Sequence, residues 1–348
     1  MWKHYLTIAV RNLFKQKFYS LINIVGLAIG LASCLLIALF VIDQLSYDGF
    51  HERADRIYRV NYTGKLVTDG DPYTIGATPP PLARILVTEF PEVEMATRIF
   101  PKGSQLIRYK EKAFMEGEVL AVDTNFFKLF SFQLKEGSAT TVFTEPNSMI
   151  ITEKTAHKYF GSESAMGKIL LVGDSLKPYK VVAVAQNPPH HSHFTFNILT
   201  SIVSEEQVKF FDWSWVWCAV TTYVQVKEDA SVSQLEAKFP ALVKRHAGYT
   251  IERLFDTSLE NFEKNGNGIR LFLQPLRDIH LRSAGITGGL GTHSDIKYLY
   301  IFSSVAFFIL LLACINFMNL STARSSGRSK EVGVRKVLGS VKSQLVAQ

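Results

Sequence analysis

Two stretches of this 348-residue chain are apolar with no helical or strand period breaking them. The first runs from Leu21 to Ile42, with only Asn23, Ser33 and Cys34 of polar type. The second runs from Tyr298 to Leu320, with Asn316 and Asn319 near its end. A run of about 22 residues is about 33 Å long as a helix, enough to cross a hydrocarbon core. The core helix of a soluble protein would be shorter and striped on one face. A signal sequence is the alternative for the first run. Its apolar part would span only about 7–15 residues, with small residues at a cleavage site after it. Here Val41-Ile42-Asp43-Gln44 closes the run instead. Gly26 and Gly30 stand at the GxxxG spacing that lets helix backbones approach closely, although chance glycines in a span give the same pattern.

Between the two runs the pattern changes to short alternating segments with turn residues between them. Ile57–Lys65, Val93–Phe100, Gln105–Val122, Ser148–Ile151 and Ile269–Pro275 read as strands. Lys168–Val172 and Tyr179–Ala185 read as a hairpin around Gly173-Asp174. Thr78 followed by Pro79, Pro80 and Pro81 predicts a helix start, with Leu82, Ile85 and Leu86 on its apolar side. Thr152 is placed to cap a helix through Phe160, and Ser231–His246 predicts a helix with Leu235, Phe239, Leu242 and Val243 on one face. The fold class that follows is a membrane protein in which two transmembrane α-helices flank a mixed α+β extracytoplasmic domain.

Charge fixes the orientation. The chain carries +7 overall, a value that invites a nucleic-acid reading. The basic residues are not spread over a binding face, however. Lys3, Arg11, Lys15 and Lys17 give the first 20 residues about +4. Arg324, Arg328, Lys330, Arg335, Lys336 and Lys342 against Glu331 give the last 28 about +5, which leaves the middle at about −2. Basicity confined to the flanks of apolar runs is a topology signal, and it excludes nucleic acid as the expected partner. Both termini are therefore expected in the cytoplasm and residues 43–297 outside. Trp2, Tyr5, Leu6, Ala9, Leu13 and Phe14 recur at three- and four-residue spacing among those cations. That pattern suits an amphipathic segment lying at the membrane surface, over residues 1–20. Of the three cysteines, Cys34 and Cys314 lie in the apolar runs and Cys218 stands alone between them. The middle region therefore has no internal disulfide to form.

Few residues offer chemistry. Gly161 to Gly167-Lys168 is a near-match to a phosphate loop. It has five residues between the glycines, and Ile169 stands where a magnesium-holding Ser or Thr is required. His190, His191 and His193 cluster after Pro188-Pro189. They lack a second group to complete a metal site and read as solvated imidazoles on a turn. No recognisable hydrolase, zinc-protease or thiol-redox motif occurs, so the chain is expected to be no enzyme and to need no cofactor. Trp213, Trp215 and Trp217 alternate with Ser214 and Val216, and in a strand they would share one face. They are a candidate ligand or partner surface, with core packing as the commoner use of such residues.

The most specific text follows the second run: Asn316-Phe-Met-Asn319, Arg324, then Arg328-Ser-Lys330-Glu331-Val332-Gly333-Val334-Arg335-Lys336-Val337-Leu338-Gly339-Ser340. It resembles the point where the second span of MacB/FtsX-type ABC transporter permeases runs into the cytoplasm. Four further segments carry the same resemblance. They are Ala9-Val-Arg11-Asn12-Leu13 with Gly26–Gly30, Tyr47-Asp48-Gly-Phe50-His51 through Asp55–Val60, Tyr159–Lys168 with Tyr179–Val184 and Pro188–Phe194, and Pro275-Leu-Arg-Asp278-Ile-His280-Leu281. The resemblance covers nearly the whole chain and points to the branch with long, often duplicated permeases in Bacteroidota-like bacteria.

What the resemblance implies is a subunit of the bacterial inner membrane without its own nucleotide site. A cytoplasmic ABC ATPase would be its partner, together with a second permease half or a second copy of itself, membrane lipid, and a periplasmic or envelope protein. The implied division is a cytoplasmic segment 1–20, a span 21–42, a MacB-like periplasmic core domain 43–297, a span 298–320, and a cytoplasmic coupling segment 321–348. That last segment would open an FtsX-like permease domain. Family members carry at least two further spans, so the chain reads as the front part of a longer polypeptide. Arg328, Lys330, Glu331, Val332, Val334, Arg335, Lys336 and Leu338 are the residues expected to meet the ATPase, an apolar edge ringed by charge. The alternative role is a membrane-anchored regulator that binds and activates a cell-wall hydrolase and moves no cargo.

Overall fold

A computed structural model describes residues 17–66, 70–138, 143 and 146–339. The expected amphipathic segment at Trp2–Phe14 lies outside the described residues. The chain divides into two units: a helical pair, made by the segments up to Leu45 and from Ile296, and a domain covering Ser46–Asp295.

After α1 (Lys17–Leu45) come β1 (Ile57–Lys65), β2 (Tyr73–Ile75) and α2 (Leu82–Glu89). Pro81 takes the N-cap place of α2, where the chain needs no intrahelical N–H. β3 (Val93–Tyr109) and β4 (Lys112–Val122) then form a long antiparallel hairpin. The break expected after Phe100 is absent. Pro101 and Gly103 are absorbed as register shifts within β3, Gly103 with φ +66°, which is how a strand carries residues that cannot pair regularly. The turn comes instead at Lys110-Glu111, with Lys110 at φ +51°.

The chain continues through α3 (Phe126–Leu129), β5 (Leu134–Glu136), β6 (Ser148–Thr152), α4 (Glu153–Phe160), β7 (Ile169–Val172), β8 (Lys177–Ala185) and β9 (Ile198–Ser201). Thr152 caps α4 as its sequence predicts, its hydroxyl accepting from the Thr155 N–H. β7 and β8 make the expected hairpin. Next are α5 (Glu206–Phe210), β10 (Thr221–Val226), α6 (Val232–Ala237), α7 (Phe239–His246), α8 (Gly248–Phe255), α9 (Leu259–Lys264), β11 (Gly268–Pro275), β12 (Ile286–Thr287) and α10 (Ile296–Val337). The single helix expected over Ser231–His246 is broken at Lys238. Pro240 lacks an N–H, and its ring would strike the carbonyl four residues earlier, so it can only sit in the first turn of a new helix.

Among the described residues twelve strands join in one sheet, in the order β12-β2-β1-β10-β3-β4-β9-β6-β8-β5, with β11 on β1 and β7 on both β3 and β8. Among the described residues four apolar clusters hold it, the smallest made by Ala121, Ile202, Val208 and Val220. One packs α2 and α7 on the sheet through Leu82, Leu86, Phe239 and Leu242. A second packs α4 through Tyr159 and Phe160 against Met149, Ile151 and Val181. Another is aromatic: Phe126, Phe130, Phe132, Phe194, Phe196 and Tyr223 pack edge-on and tilted, with Phe126 and Phe132 parallel, and neighbouring centroids lie 5.1–6.2 Å apart. Rings at such spacings gain roughly 0.5–1.5 kcal/mol per pair beyond burial. This aromatic cluster is the floor on which the polar site below is built.

In the helical unit, α1 and α10 pack antiparallel. A Cβ on Gly30 would stand 3.0 Å from Ala313 Cβ, and one on Gly26 3.5 Å from Asn316 Nδ2. The Cys34 thiol donates to the Ala306 carbonyl (3.2 Å), and Phe40 meets Phe302 edge-on at 5.4 Å. The GxxxG pair thus faces the second helix. Away from this seam the apolar side chains are exposed, Leu36 at 68% and Leu312 at 64%. A soluble core helix would bury them; a bilayer would cover them.

Candidate functional site

A buried polar cluster of the large domain lies beside the aromatic cluster, where the chain enters from α1 and leaves toward α10. Asp48, three residues beyond the end of α1, is fully buried. Its N–H donates to the His191 carbonyl (2.8 Å). Its Oδ1 accepts from the His193 N–H (3.1 Å) and lies 2.8 Å from His193 Nδ1. A carboxylate only accepts, so Nδ1 carries the proton. The opposite nitrogen, Nε2, lies 2.7 Å from the Tyr223 hydroxyl on β10. Burial pushes the Tyr223 phenol well above its ordinary value, so it keeps its proton. The result is a continuous chain from the entry segment to the middle of the sheet.

Arg59 on β1 extends the cluster. It is fully buried, and its guanidinium donates to neutral groups: Nε to Asn61 Oδ1 (2.9 Å), and Nη2 to Gln274 Oε1 (2.8 Å) and Ser283 Oγ (3.1 Å). Gly76 and Gly289 press their backbones on the same guanidinium; a Cβ on Gly289 would come within 2.7 Å of Nη1. Burial lowers the proton affinity of Arg59. A buried cation among neutral partners is costly, and this one is held by a complete fan of oriented dipoles on its other two nitrogens. His51 accepts at Nδ1 from the Ser131 N–H (3.0 Å) and packs against Phe130 and Phe132. Burial holds its imidazole down at about 4. His293, in the exit segment, is likewise held at about 4, by burial and then by the nearby Arg59 charge.

The expected solvated histidine turn is therefore half right. His193 is 2% exposed and hydrogen-bonded at both nitrogens, so it is a structural side chain. Among the described residues no group of three His, Cys, Asp or Glu is placed to hold a metal. The phosphate-loop look-alike sits at the wrong end of a helix. Gly161, at φ +63°, follows the last turn of α4, where carbonyls and not N–H groups face outward. Lys168 is paired with Glu163 (3.0 Å).

Trp213–Trp217 do not form a strand. The segment between α5 and β10 is irregular, because Ser214 Oγ turns back to accept from the Val216 and Trp217 N–H groups. The three indoles consequently go to different places. Trp215 is buried and stacks on His246 at 5.7 Å; Trp217 stacks on Phe211 at 4.5 Å; Trp213 lies under the Arg253 guanidinium at 4.1 Å. They are not one flat platform.

Of the coupling residues, Arg328, Lys330, Glu331, Val332, Val334, Arg335 and Lys336 are positions on α10, and Leu338 follows its last turn. Val334 and Leu338 are exposed, and the other side chains lie outside the described residues. Sequence reasoning did not single out Asp48, Arg59, Tyr223 or His293 as a group. The signal available was indirect: Asp48, Arg59, His193 and His280 all fall in segments that carried the family resemblance, and the fold brings those segments together.

Residues 20–242 match the model of the MacB-like periplasmic core domain. The chain belongs to that family. No match is found among curated protein sequences. Among solved structures, a domain of a permease protein from Porphyromonas gingivalis aligns with a TM-score of 0.55 at 22% identity, over 65% of this chain and 91% of that one; this likeness is one of fold. The periplasmic region of MacB from Actinobacillus actinomycetemcomitans (TM-score 0.44, 13% identity, 65% and 91% covered) also aligns. So does the extracellular domain of the noncanonic ABC-type transporter YknZ from Gram-positive bacteria (0.42, 13%, 63% and 99%). The MacB-like domain of this chain, with its two apolar helices, is thus that of a permease-type ABC transporter component, a membrane protein.

Proposed function

We propose that this chain is the permease subunit of a MacB/FtsX-type transporter that passes the ATP-driven motion of a separate cytoplasmic ATPase to its MacB-like domain, for export or envelope processes. One observation carries the reading. α10 is a single helix from Ile296 to Val337, about 63 Å at 1.5 Å per residue. It begins where the MacB-like domain ends, includes the apolar stretch Ile296–Asn319, and reaches the Lys330–Lys336 segment without interruption. A continuous helix is stiff along its axis, so a push at one end arrives at the other.

In this reading residues 1–20 and 321–348 face the cytoplasm of a bacterial inner-membrane protein, and 43–297 face the periplasm. The positive flanks support that orientation. A second permease half, or a second copy, completes the transporter, and ATP is hydrolysed by the partner. Arg328, Lys330, Glu331, Val332, Val334, Arg335, Lys336 and Leu338 form the contact with the ATPase. Glu331 and Arg335, one turn apart, set its register.

The test is a pull-down of the native protein from mild detergent, with the double variant Glu331→Lys/Arg335→Glu beside it. An ATP-binding subunit should copurify with the parent and be lost from the variant, while membrane insertion persists. Capture of a cell-wall hydrolase without any ATPase would replace this reading with that of a membrane-anchored regulator.

A further inference from the structure

Two residues of the MacB-like domain each touch both chain segments through which the domain is joined to its flanking helices. His280, on the turn after β11, is the first. The Tyr47 ring, two residues beyond α1, stacks on its imidazole with centroids 3.5 Å apart and planes 4° from parallel. Its carbonyl accepts from the Ser294 N–H (2.8 Å), two residues before α10. The second is His193. Asp48 of the entry segment grips its backbone N–H and its ring. Gly291 of the exit segment lies flat on its carbonyl: a Cβ there would sit 1.6 Å from the oxygen, and the residue holds φ +76°, a position only glycine fills without strain. Arg282 and Asp295 add a backbone bridge between the His280 turn and the residue just before α10.

We infer that His193 and His280 form a yoke: they clamp the entry segment, Tyr47–Asp48, and the exit segment, Gly291–Ser294, into one mechanical element. The segments are separated by nearly the whole domain in sequence, and each histidine bridges them. Two independent linkers would each absorb the displacement of their own helix. A yoke passes a displacement of either segment to both, and through the His193–Tyr223 bond to β10 in the middle of the sheet. Its use in transport rests on the permease reading above; its existence does not.

The coupling is reciprocal if the yoke is real, because linked equilibria act equally in both directions. Hydrogen exchange read by mass spectrometry on the full chain in lipid nanodiscs tests this without any ATPase. Tyr47→Ala places the change in the entry segment, where it removes the ring from His280, and Gly291→Ala places it in the exit segment, where the new Cβ pushes on the His193 carbonyl. Tyr47→Ala should raise exchange in residues 290–295 roughly fivefold, the size expected from losing one aromatic stack. Gly291→Ala should raise exchange in residues 46–51 at least as much. His280→Phe keeps both the ring stack and the carbonyl, so both segments should keep their protection. Unchanged exchange in the β3–β4 hairpin shows that the domain is still folded in each variant. Deprotection confined to the segment that carries the substitution would overturn the yoke. Loss of ATPase capture in the pull-down, with reciprocal exchange intact, would instead count against the permease reading alone.

Discussion

The His51 site makes stability depend on pH in a calculable way. Its Nδ1 accepts from the Ser131 N–H, so the ring must be neutral with its proton on Nε2. Protonating Nδ1 would break that bond and place a charge in a site 2% exposed and walled by Phe130 and Phe132. Burial accordingly lowers the group from 6.5 to about 4; the Asp48 charge pulls the other way and His193 adds slightly to the depression. Between those two values the unfolded chain binds a proton that the folded domain refuses. The unfolded state therefore gains as pH falls. Stability is fully present above about 6.5, declines through the window, and levels off below about 4, with a total loss of about 3 kcal/mol from this residue. The assay is urea unfolding of residues 46–295 at a series of pH values between 7 and 4, followed by the fluorescence of Trp213, Trp215 and Trp217. Carboxylates titrate near the lower end of the same range, so the informative quantity is the difference from His51→Gln. Glutamine keeps an acceptor for the Ser131 N–H and does not titrate. The parent should lose about 3 kcal/mol more than the variant over the window. Parallel curves would refute the assignment of a buried neutral His51.

Two smaller predictions probe packing. Gly30→Leu should separate α1 from α10, since even a Cβ there meets Ala313 at 3.0 Å; overpacking of this kind costs about 1–3 kcal/mol. Oxidative cross-linking of Cys34 to a cysteine introduced by Ala306→Cys should then fall severalfold, and an unchanged yield would mean that the two helices do not meet at the glycines. Trp215→Ala should destabilise the domain by about 3–5 kcal/mol, the cost of emptying a buried aromatic site, and Trp213→Ala, under an exposed guanidinium, by about 1 kcal/mol or less. Equal effects in urea melts would refute the difference in packing between these two indoles.

The spans were legible because a bilayer imposes a length and a composition that few soluble elements share, and the strands Ile57–Lys65 and Ile269–Pro275 because β-branched and aromatic runs between turn residues have few other uses. What local pattern misjudged were places where partners far away decide. Pro101 and Gly103 look like a loop in isolation, yet β4 pairs across them and turns them into bulges. Three helices, α3, α5 and α9, are only four to six residues long, too short to show a period. Trp213 to Trp217 alternate as a strand would, but Ser214 competes for the backbone and the ladder never forms.

The polar core shows the same limit more sharply. His190, His191 and His193 are alike in sequence, and nothing local says which of them is buried. The choice is made by Asp48, 145 residues away along the chain, and Tyr223, 30 residues away on β10. A buried polar group needs partners with fixed geometry, and those partners come from the loop after α1, from β1, from β10 and from the turn after β11. Each contributing segment, read alone, is an ordinary hydrophilic loop or a strand with one odd residue, as Arg59 is in β1. Segments such as Tyr47–His51, Pro188–Phe194 and Pro275–Leu281 contain no catalytic frame, so a search for chemistry passes over them. They converge on the entry and exit of one domain, which is the place where a protein that transmits motion would need its most exact contacts.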